Sequence, residues 1–174
     1  MPGGAKGGEV VRWFAPGIPA PKGSARAIVT RDGKARLIAS GSNANRDAQA
    51  AWASSVGWTA RAAMVRPLDG PVRVLCEFVF ARPASHTRAE RAVTSKTTKP
   101  DGDKLIRATL DALTGLAYVD DAQVSDGRWV KRYAAPGEAC GAWITVEAIQ
   151  QERPATPRSE ERRVGKECLR LCRS

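Results

Sequence analysis

The stretch that decides the fold is KPDGDKLIRATLDALTGLAYVDDAQV, residues 99–124, which reads as a loop, a short helix and the approach to a strand. Apolar residues recur at helical spacing at Ile106, Leu110 and Leu113 and predict the buried face of that helix. We expect Asp103 to cap its start and Gly115 to end it. The stretch also places aspartates on both sides of one helix, in a chain that is otherwise basic.

The remaining chain predicts strands around one long helix. Asp32 and Gly33 separate two apolar runs, which is typical of a hairpin. The long helix is expected to start near Ser42, Asn43 or Asn45 and to run to about Val65 before Pro67. The other predicted strands start at Val10 or cover Pro71–Phe80, Gln123–Tyr133 and Trp143–Ile149, with a possible hairpin across Ala134–Gly141. The fold class is therefore α+β, or α/β with a mixed sheet, with about five strands, one long helix and one short helix.

A single domain is expected over residues 9–150, because the 174-residue chain is long enough for one core. Residues 1–8 are Gly-rich and predict a flexible N-terminus. Residues 151–174 lack a periodic apolar pattern and predict a disordered, non-native tail. From about Arg158, the tail resembles the translation of a common sequencing adapter.

The charge balance favours a nucleic-acid partner. The formal net charge is +10, from 28 Lys and Arg against 18 Asp and Glu. No apolar run is long enough for a membrane span and the start lacks a signal-peptide pattern, so we expect a cytoplasmic protein without membrane contact. The four cysteines form no zinc spacing, and the single histidine, His86, argues against a Ser-His-Asp triad.

The aspartates beside the helix predict a metal site. Asp101 and Asp103 are two residues apart and point the same way if the segment is extended, and the loop after the helix would return Asp120 and Asp121 toward them. Carboxylates that converge repel one another unless a cation separates them, and their hard oxygens suit Mg²⁺ or Mn²⁺. The alternatives are a plain turn, a helix cap and a solvated loop. Asp111 is expected to be a surface or salt-bridge residue.

Basic residues near these aspartates are candidates for phosphate contacts. Arg107 lies one turn past Asp103 and could hold a phosphate, as could Lys99, Lys104 and Lys131. The polar stretch from Arg82 to Lys99 is expected to be a mobile loop that contacts DNA through Arg88, Arg91 and Lys96. The five tryptophans are expected to pack mostly in the core.

Residues 99–124, followed by Lys131–Tyr133, closely resemble the RusA family of Holliday junction resolvases. The run Gly17–Lys22, ahead of Arg26, resembles the opening strand and basic turn of that family, which adds Lys22 and Arg26 to the DNA-binding candidates. The likeness covers most of Val10–Ile149.

The resemblance implies a homodimer that binds four-way DNA junctions and makes paired, Mg²⁺-dependent nicks, as in phage and prophage recombination and repair. It assigns Asp101, Asp103 and Asp121 as metal-binding catalytic acids, and Arg107 stands where the family has a catalytic lysine. Lys104 stands where the family usually has Asn. The rival interpretations are a protein that binds branched DNA without cutting it and a less selective metal-dependent nuclease.

Overall fold

The computed structural model describes residues 9–23, 25–39 and 43–150. The predictions for residues 1–8 and 151–174 lie outside this part of the chain. The elements are β1 (Val10–Pro16), β2 (Ala25–Val29), β3 (Ala35–Ala39), α1 (Asn43–Ala63), β4 (Val72–Phe80), α2 (Arg88–Ala92), α3 (Gly102–Leu113), a 3₁₀ turn (Asp121–Gln123), β5 (Val124–Tyr133) and β6 (Gly141–Ala148). The α+β fold class is confirmed.

Four strands form one mixed sheet in the order β1-β6-β4-β5. The pairs β1–β6 and β4–β6 are antiparallel, whereas β4–β5 is parallel. The predicted hairpin between the last two strands is wrong, because β4 lies between β5 and β6. The reason is visible in β4, whose nine residues are all buried or half-buried and therefore favour a central position in the sheet.

The hairpin predicted at Asp32 and Gly33 is confirmed as β2 and β3, which form a separate two-stranded sheet. Gly33 has φ +75°, a left-handed conformation that glycine adopts without steric cost. The hairpin precedes α1 and stands apart from the mixed sheet.

The core lies between one face of the mixed sheet and helices α1 and α3. Helix α1 contributes Trp52, Val56 and Ala60, and α3 contributes Leu105 and Leu113. Leu110, predicted on the inner face of α3, is half-buried. The helices are fastened to each other by Trp52, whose indole Nε1 donates to Thr109 Oγ1 at 3.3 Å inside the core.

The chain from β4 to β5 carries α2 and α3 and lies against β5 before α3 begins. The Tyr133 N–H donates to the Thr94 carbonyl at 2.8 Å, and the Lys96 N–H donates to the Lys131 carbonyl at 3.0 Å. Ser95 forms an isolated antiparallel bridge with Arg132. The stretch predicted as one loop from Arg82 to Lys99 therefore contains α2 and a segment paired with β5, and backbone hydrogen bonds take the place of apolar contacts. In the described chain, no helix is both long and apolar enough to span a bilayer.

Candidate functional site

The loop before α3 is held from beneath by two lysine ammonium groups. Lys131 Nζ, on β5, donates to the carbonyls of Thr98 at 3.0 Å and Pro100 at 2.7 Å. Lys96 Nζ donates to the carbonyl of Lys99 at 2.7 Å. Three successive carbonyls are thus fixed by positive charge immediately before Asp101, which orients the entrance to α3.

Lys96 is also held by aromatic rings. Its Nζ lies 5.2 Å from the ring centroid of Phe80 and 5.5 Å from that of Tyr133, within cation–π range. Lys96 was predicted to contact DNA, but its ammonium group faces the loop and these rings. The structure therefore gives Lys96 and Lys131 a positioning role that their basic character alone did not indicate.

Asp101 is the residue immediately before α3, and the pKa of its carboxyl group is lowered by its surroundings. Its backbone is extended, at φ −68° and ψ 137°, and its carbonyl accepts the first helical hydrogen bond, from Leu105 N. Its carboxylate makes no cap hydrogen bond and instead pairs with Lys104 Nζ at 3.0 Å. The Lys104 hydrogen bond, with the charges of Lys104, Lys99 and Lys131, lowers the pKa of Asp101. Asp101 is therefore ionised at neutral pH.

Asp103 lies inside the first turn of α3, so the predictions that it caps the helix and shares an extended segment with Asp101 are wrong. The helix begins two residues earlier than expected, at Gly102, with Asp101 in the N-cap position. Asp103 and Arg107 are both exposed and four residues apart, on one side of α3. Among the described residues, neither side chain makes a hydrogen bond or an ion pair, so both are available to a ligand.

Asp121 lies at the other end of α3. The 3₁₀ turn that it starts is fixed beside the beginning of β4, where Gln123 Nε2 donates to the Gly70 carbonyl at 2.7 Å. Helix α3 has 12 residues, so its ends are separated by about 18 Å. The expected return of Asp121 toward Asp101 does not occur within one chain. No group of three or more metal-ligating side chains is present in the described residues.

The two neighbouring aspartates differ in their contacts. Asp120 accepts a hydrogen bond from Ala122 N at 2.8 Å in a capping box with Gln123. Asp121 follows it as the first residue of the turn and is exposed. Of the two, Asp121 is thus the residue whose carboxylate is open to a ligand.

The other predicted DNA contacts are spread over the surface. Lys22 forms an ion pair with Asp111, which confirms Asp111 as a salt-bridge residue and neutralises Lys22. Arg91 Nε donates to the His86 carbonyl at 3.1 Å, whereas Arg88 is exposed on α2. Arg26 lies on β2, and its side chain is outside the described part of the structure.

One of the five tryptophans that were expected to pack mostly in the core lies at this site. Trp129 is 46% exposed, and a Cβ added to Gly102 would lie only 2.4 Å from its indole Nε1. The ring therefore lies on the backbone of the residue between Asp101 and Asp103. Trp129 and Lys131 are two residues apart on β5 and therefore point to the same face of the sheet, which is the sequence signal that could have placed Trp129 here. Trp58 is also exposed, while Trp13 and Trp52 are buried as predicted.

We call this arrangement the Asp101 site: the loop Thr98–Asp101, the first two turns of α3, and Lys96, Trp129 and Lys131. It combines two aspartates with a dense set of cations, which suits a phosphodiester and a divalent ion together.

The family model described as endodeoxyribonuclease RusA matches residues 19–146. The chain belongs to the RusA family. The match includes the whole Asp101 site and Asp121, so the nuclease assignment and DNA as the partner apply to the part of the chain described above. No curated protein sequence matches the chain.

Proposed function

We propose that this RusA-family protein is a divalent-metal-dependent, structure-selective endonuclease that resolves Holliday junctions by paired nicks. The observation that carries the proposal is the Asp101 site, where Asp101 and Asp103 flank the Trp129-covered backbone of Gly102 within a cluster of lysines. The family match supplies the class of reaction, the hydrolysis of DNA within the strand.

The donor set of Asp101 and Asp103 fits Mg²⁺ or Mn²⁺. Both are aspartates at the N-terminal end of one helix, and carboxylate oxygens are the ligands these ions prefer. Lys104 Nζ pairs with one of the two Asp101 carboxylate oxygens, so a metal ion at this position would compete with its ammonium group. When bound, the ion would lower the pKa of a water molecule and neutralise charge on the phosphate.

The residues around the carboxylates would hold the DNA. Arg107 lies one turn from Asp103 and would clamp a phosphate with its planar guanidinium group. Lys99 adds an exposed positive charge at the loop, and Lys104 adds another once it is displaced from Asp101. Arg88 on α2 would extend the phosphate contacts away from the site.

Asp121 joins Asp101 and Asp103 only if a second copy of the chain contributes it, because the two ends of α3 are about 18 Å apart within one chain. A twofold dimer also provides the two sites that paired nicks require. We therefore propose a homodimer whose metal sites are shared between subunits.

The direct test is a gel assay of nicking on four-way, flap and linear DNA, with Mg²⁺, Mn²⁺ or EDTA. We expect metal-dependent nicking of the four-way junction, and loss of nicking with retained or tighter binding in Asp101→Asn, Asp103→Asn and Asp121→Asn. Asp120→Asn is the matched control and should cut normally, since Asn can keep the cap. Junction binding without nicking at any metal concentration would instead support the non-cleaving interpretation, which the Asp101–Lys104 pair favours. Equal cutting of linear DNA would support a less selective nuclease.

Mixing inactive variants tests the shared site. In a mixed dimer of Asp101→Asn and Asp121→Asn subunits, a shared arrangement leaves one site with both wild-type aspartates, so nicking of one strand returns. If each site lies within one chain, both sites carry a defect and the mixture stays inactive. Sedimentation of residues 1–157 as a monomer that still makes paired nicks would contradict the dimer.

Arg107 can be tested separately from the metal. If its role is electrostatic, Arg107→Lys should keep substantial nicking, and Arg107→Ala should lose nicking with little change in junction affinity. If proton donation limits the rate, Arg107→Lys should be markedly faster than wild type. Normal cutting by Arg107→Ala would remove Arg107 from the mechanism.

A further inference from the structure

We propose that Trp129 is a stacking platform for a nucleobase of the bound DNA, next to the phosphate at the Asp101 site. The inference rests on the proposed function and adds a base contact to a site that otherwise offers only phosphate contacts.

Trp129 is placed by the sheet. In the parallel β4–β5 pair it lies opposite Cys76, whose side chain belongs to the buried, helix-facing side of the sheet. Residues paired across strands share a face, so the Trp129 side chain extends toward α3 rather than toward the open face. There it meets Gly102, and the absence of a side chain at Gly102 lets the indole lie against the first turn of the helix.

A large part of the ring remains uncovered. With 46% of its surface exposed, Trp129 is far more accessible than Trp13 and Trp52, which are 8% and 1% exposed. An exposed indole is an apolar, planar surface that water solvates poorly, and a nucleobase has the planar face that covers it well.

The charge around the ring selects a nucleic acid as the occupant. Lys99, Lys104 and Lys131 all act on the Asp101 carboxylate electrostatically, and Asp101 is adjacent in sequence to the glycine that Trp129 covers. Aromatic side chains interleaved with lysines are the arrangement that binds DNA strands, with cations on phosphates and rings on bases. An apolar protein segment would gain nothing from these cations.

The other exposed tryptophan provides the control. Trp58 is 69% exposed on α1, and the guanidinium carbon of Arg61 lies 5.8 Å from its ring centroid. Its neighbour Gly57 packs near Leu116, beyond the end of α3 that is opposite to Asp101. Trp58 is therefore an exposed tryptophan like Trp129, more exposed and at a different position.

The experiment measures binding of a fluorescent four-way junction by anisotropy across a salt series, with Ca²⁺ in place of Mg²⁺. Trp129→Ala should weaken binding by about 5- to 150-fold, as expected for loss of one stacked base, while Trp129→Phe should retain most of the affinity. Because no charge is lost, the slope of log affinity against log salt should stay unchanged in Trp129→Ala. In Lys99→Ala it should fall by about 0.9. Trp58→Ala should bind like wild type.

A 2-aminopurine base next to the branch point supplies a second readout, because stacking quenches its fluorescence. Quenching by wild type and Trp129→Phe, but not by Trp129→Ala or Trp129→Leu, is the expected result. Trp129→Ala that binds within twofold of wild type, or Trp129→Leu that equals wild type in both readouts, would overturn the stacking role. If the stacking role is overturned in this way but wild type nicks the junction in Mg²⁺, the proposed function stands and only the base contact is refuted. A wild-type protein that neither binds nor nicks the junction refutes both.

Discussion

Thr109→Val tests how α3, which carries Asp103 and Arg107, is fastened to the rest of the domain. Thr109 is 0% exposed and Trp52 is 1% exposed, and they are joined by the indole N–H to hydroxyl hydrogen bond at 3.3 Å. Valine has nearly the same shape as threonine but cannot accept this bond. The Trp52 N–H would be left buried without a partner, which costs about 1–3 kcal/mol.

The geometry of the hydrogen bond narrows the expected loss of unfolding free energy in Thr109→Val. The bond is long, which places its loss at the lower end of that range, and the added methyl of valine offsets part of the cost. The Thr109 hydroxyl also donates to the Leu105 carbonyl at 3.0 Å, a bond that is lost as well, although that carbonyl keeps its helical partner. We therefore expect Thr109→Val to lower the free energy of unfolding by about 1–2 kcal/mol.

Urea unfolding of a double-mutant cycle isolates the hydrogen bond. Trp52→Phe removes the donor, so the double variant has neither an orphaned donor nor an orphaned acceptor and should be more stable than the two single effects predict. We expect a coupling free energy of about 1 kcal/mol. Thr109→Ser is the control, because it keeps the hydroxyl and loses only a methyl group. Additive single effects, or a Thr109→Val protein as stable as wild type, would refute the proposed fastening of α3 to α1.

Three further predictions concern the site and the sheet. Lys104→Asn should tighten Mn²⁺ binding, because no ammonium group then competes for Asp101. Electron paramagnetic resonance measures this binding, and weaker binding than in wild type would contradict the competition. Arg132 lowers the pKa of Glu138 to about 2, so this pair stabilises the fold above about pH 4.5 and the stabilisation is lost as the pH falls toward 2. Urea midpoints should therefore fall over this range in wild type and less so in Glu138→Gln; parallel curves would contradict the linkage. The Cβ of Gly141→Ala would lie 2.3 Å from a backbone oxygen of β1. We therefore expect the free energy of unfolding of this variant to drop by about 2 kcal/mol. A urea midpoint equal to that of wild type would show that the two strands can separate at low cost.

Local patterns predicted the elements of this fold well. The alternation in β4 and the helical spacing of Ile106 and Leu113 act over a few residues, so sequence alone reveals them. The pairing of β5 with β4 depends on contacts between distant segments. The connection between β5 and β6 is short, but the buried strand β4 lies between them in the sheet. The hairpin predicted from that short connection is therefore absent.

The site was predicted by residue type better than by geometry. Asp101 and Arg107 stand at the ends of the first two turns of α3, close to the expected arrangement. Asp121 lies at the far end because the helix runs its full length before the chain turns. The sequence could not show that the ammonium groups of Lys96 and Lys131 donate hydrogen bonds to backbone carbonyls, because those bonds depend on the path of the loop over β5.

The order β1-β6-β4-β5 has a consequence for how the protein folds. The mixed sheet pairs strands that are distant in the chain, and β1 is bonded to β6, near the opposite end of the domain. Folding rates fall when most contacts join remote segments, so we expect this domain to fold in milliseconds to seconds. Because Lys131 and Trp129 come from edge strand β5, the loop before Asp101 cannot take its final shape until that strand has docked. Pulsed hydrogen exchange during refolding should protect the amides of β4 and β6 before those of residues 94–102, so that a partly folded chain exposes no assembled nuclease site.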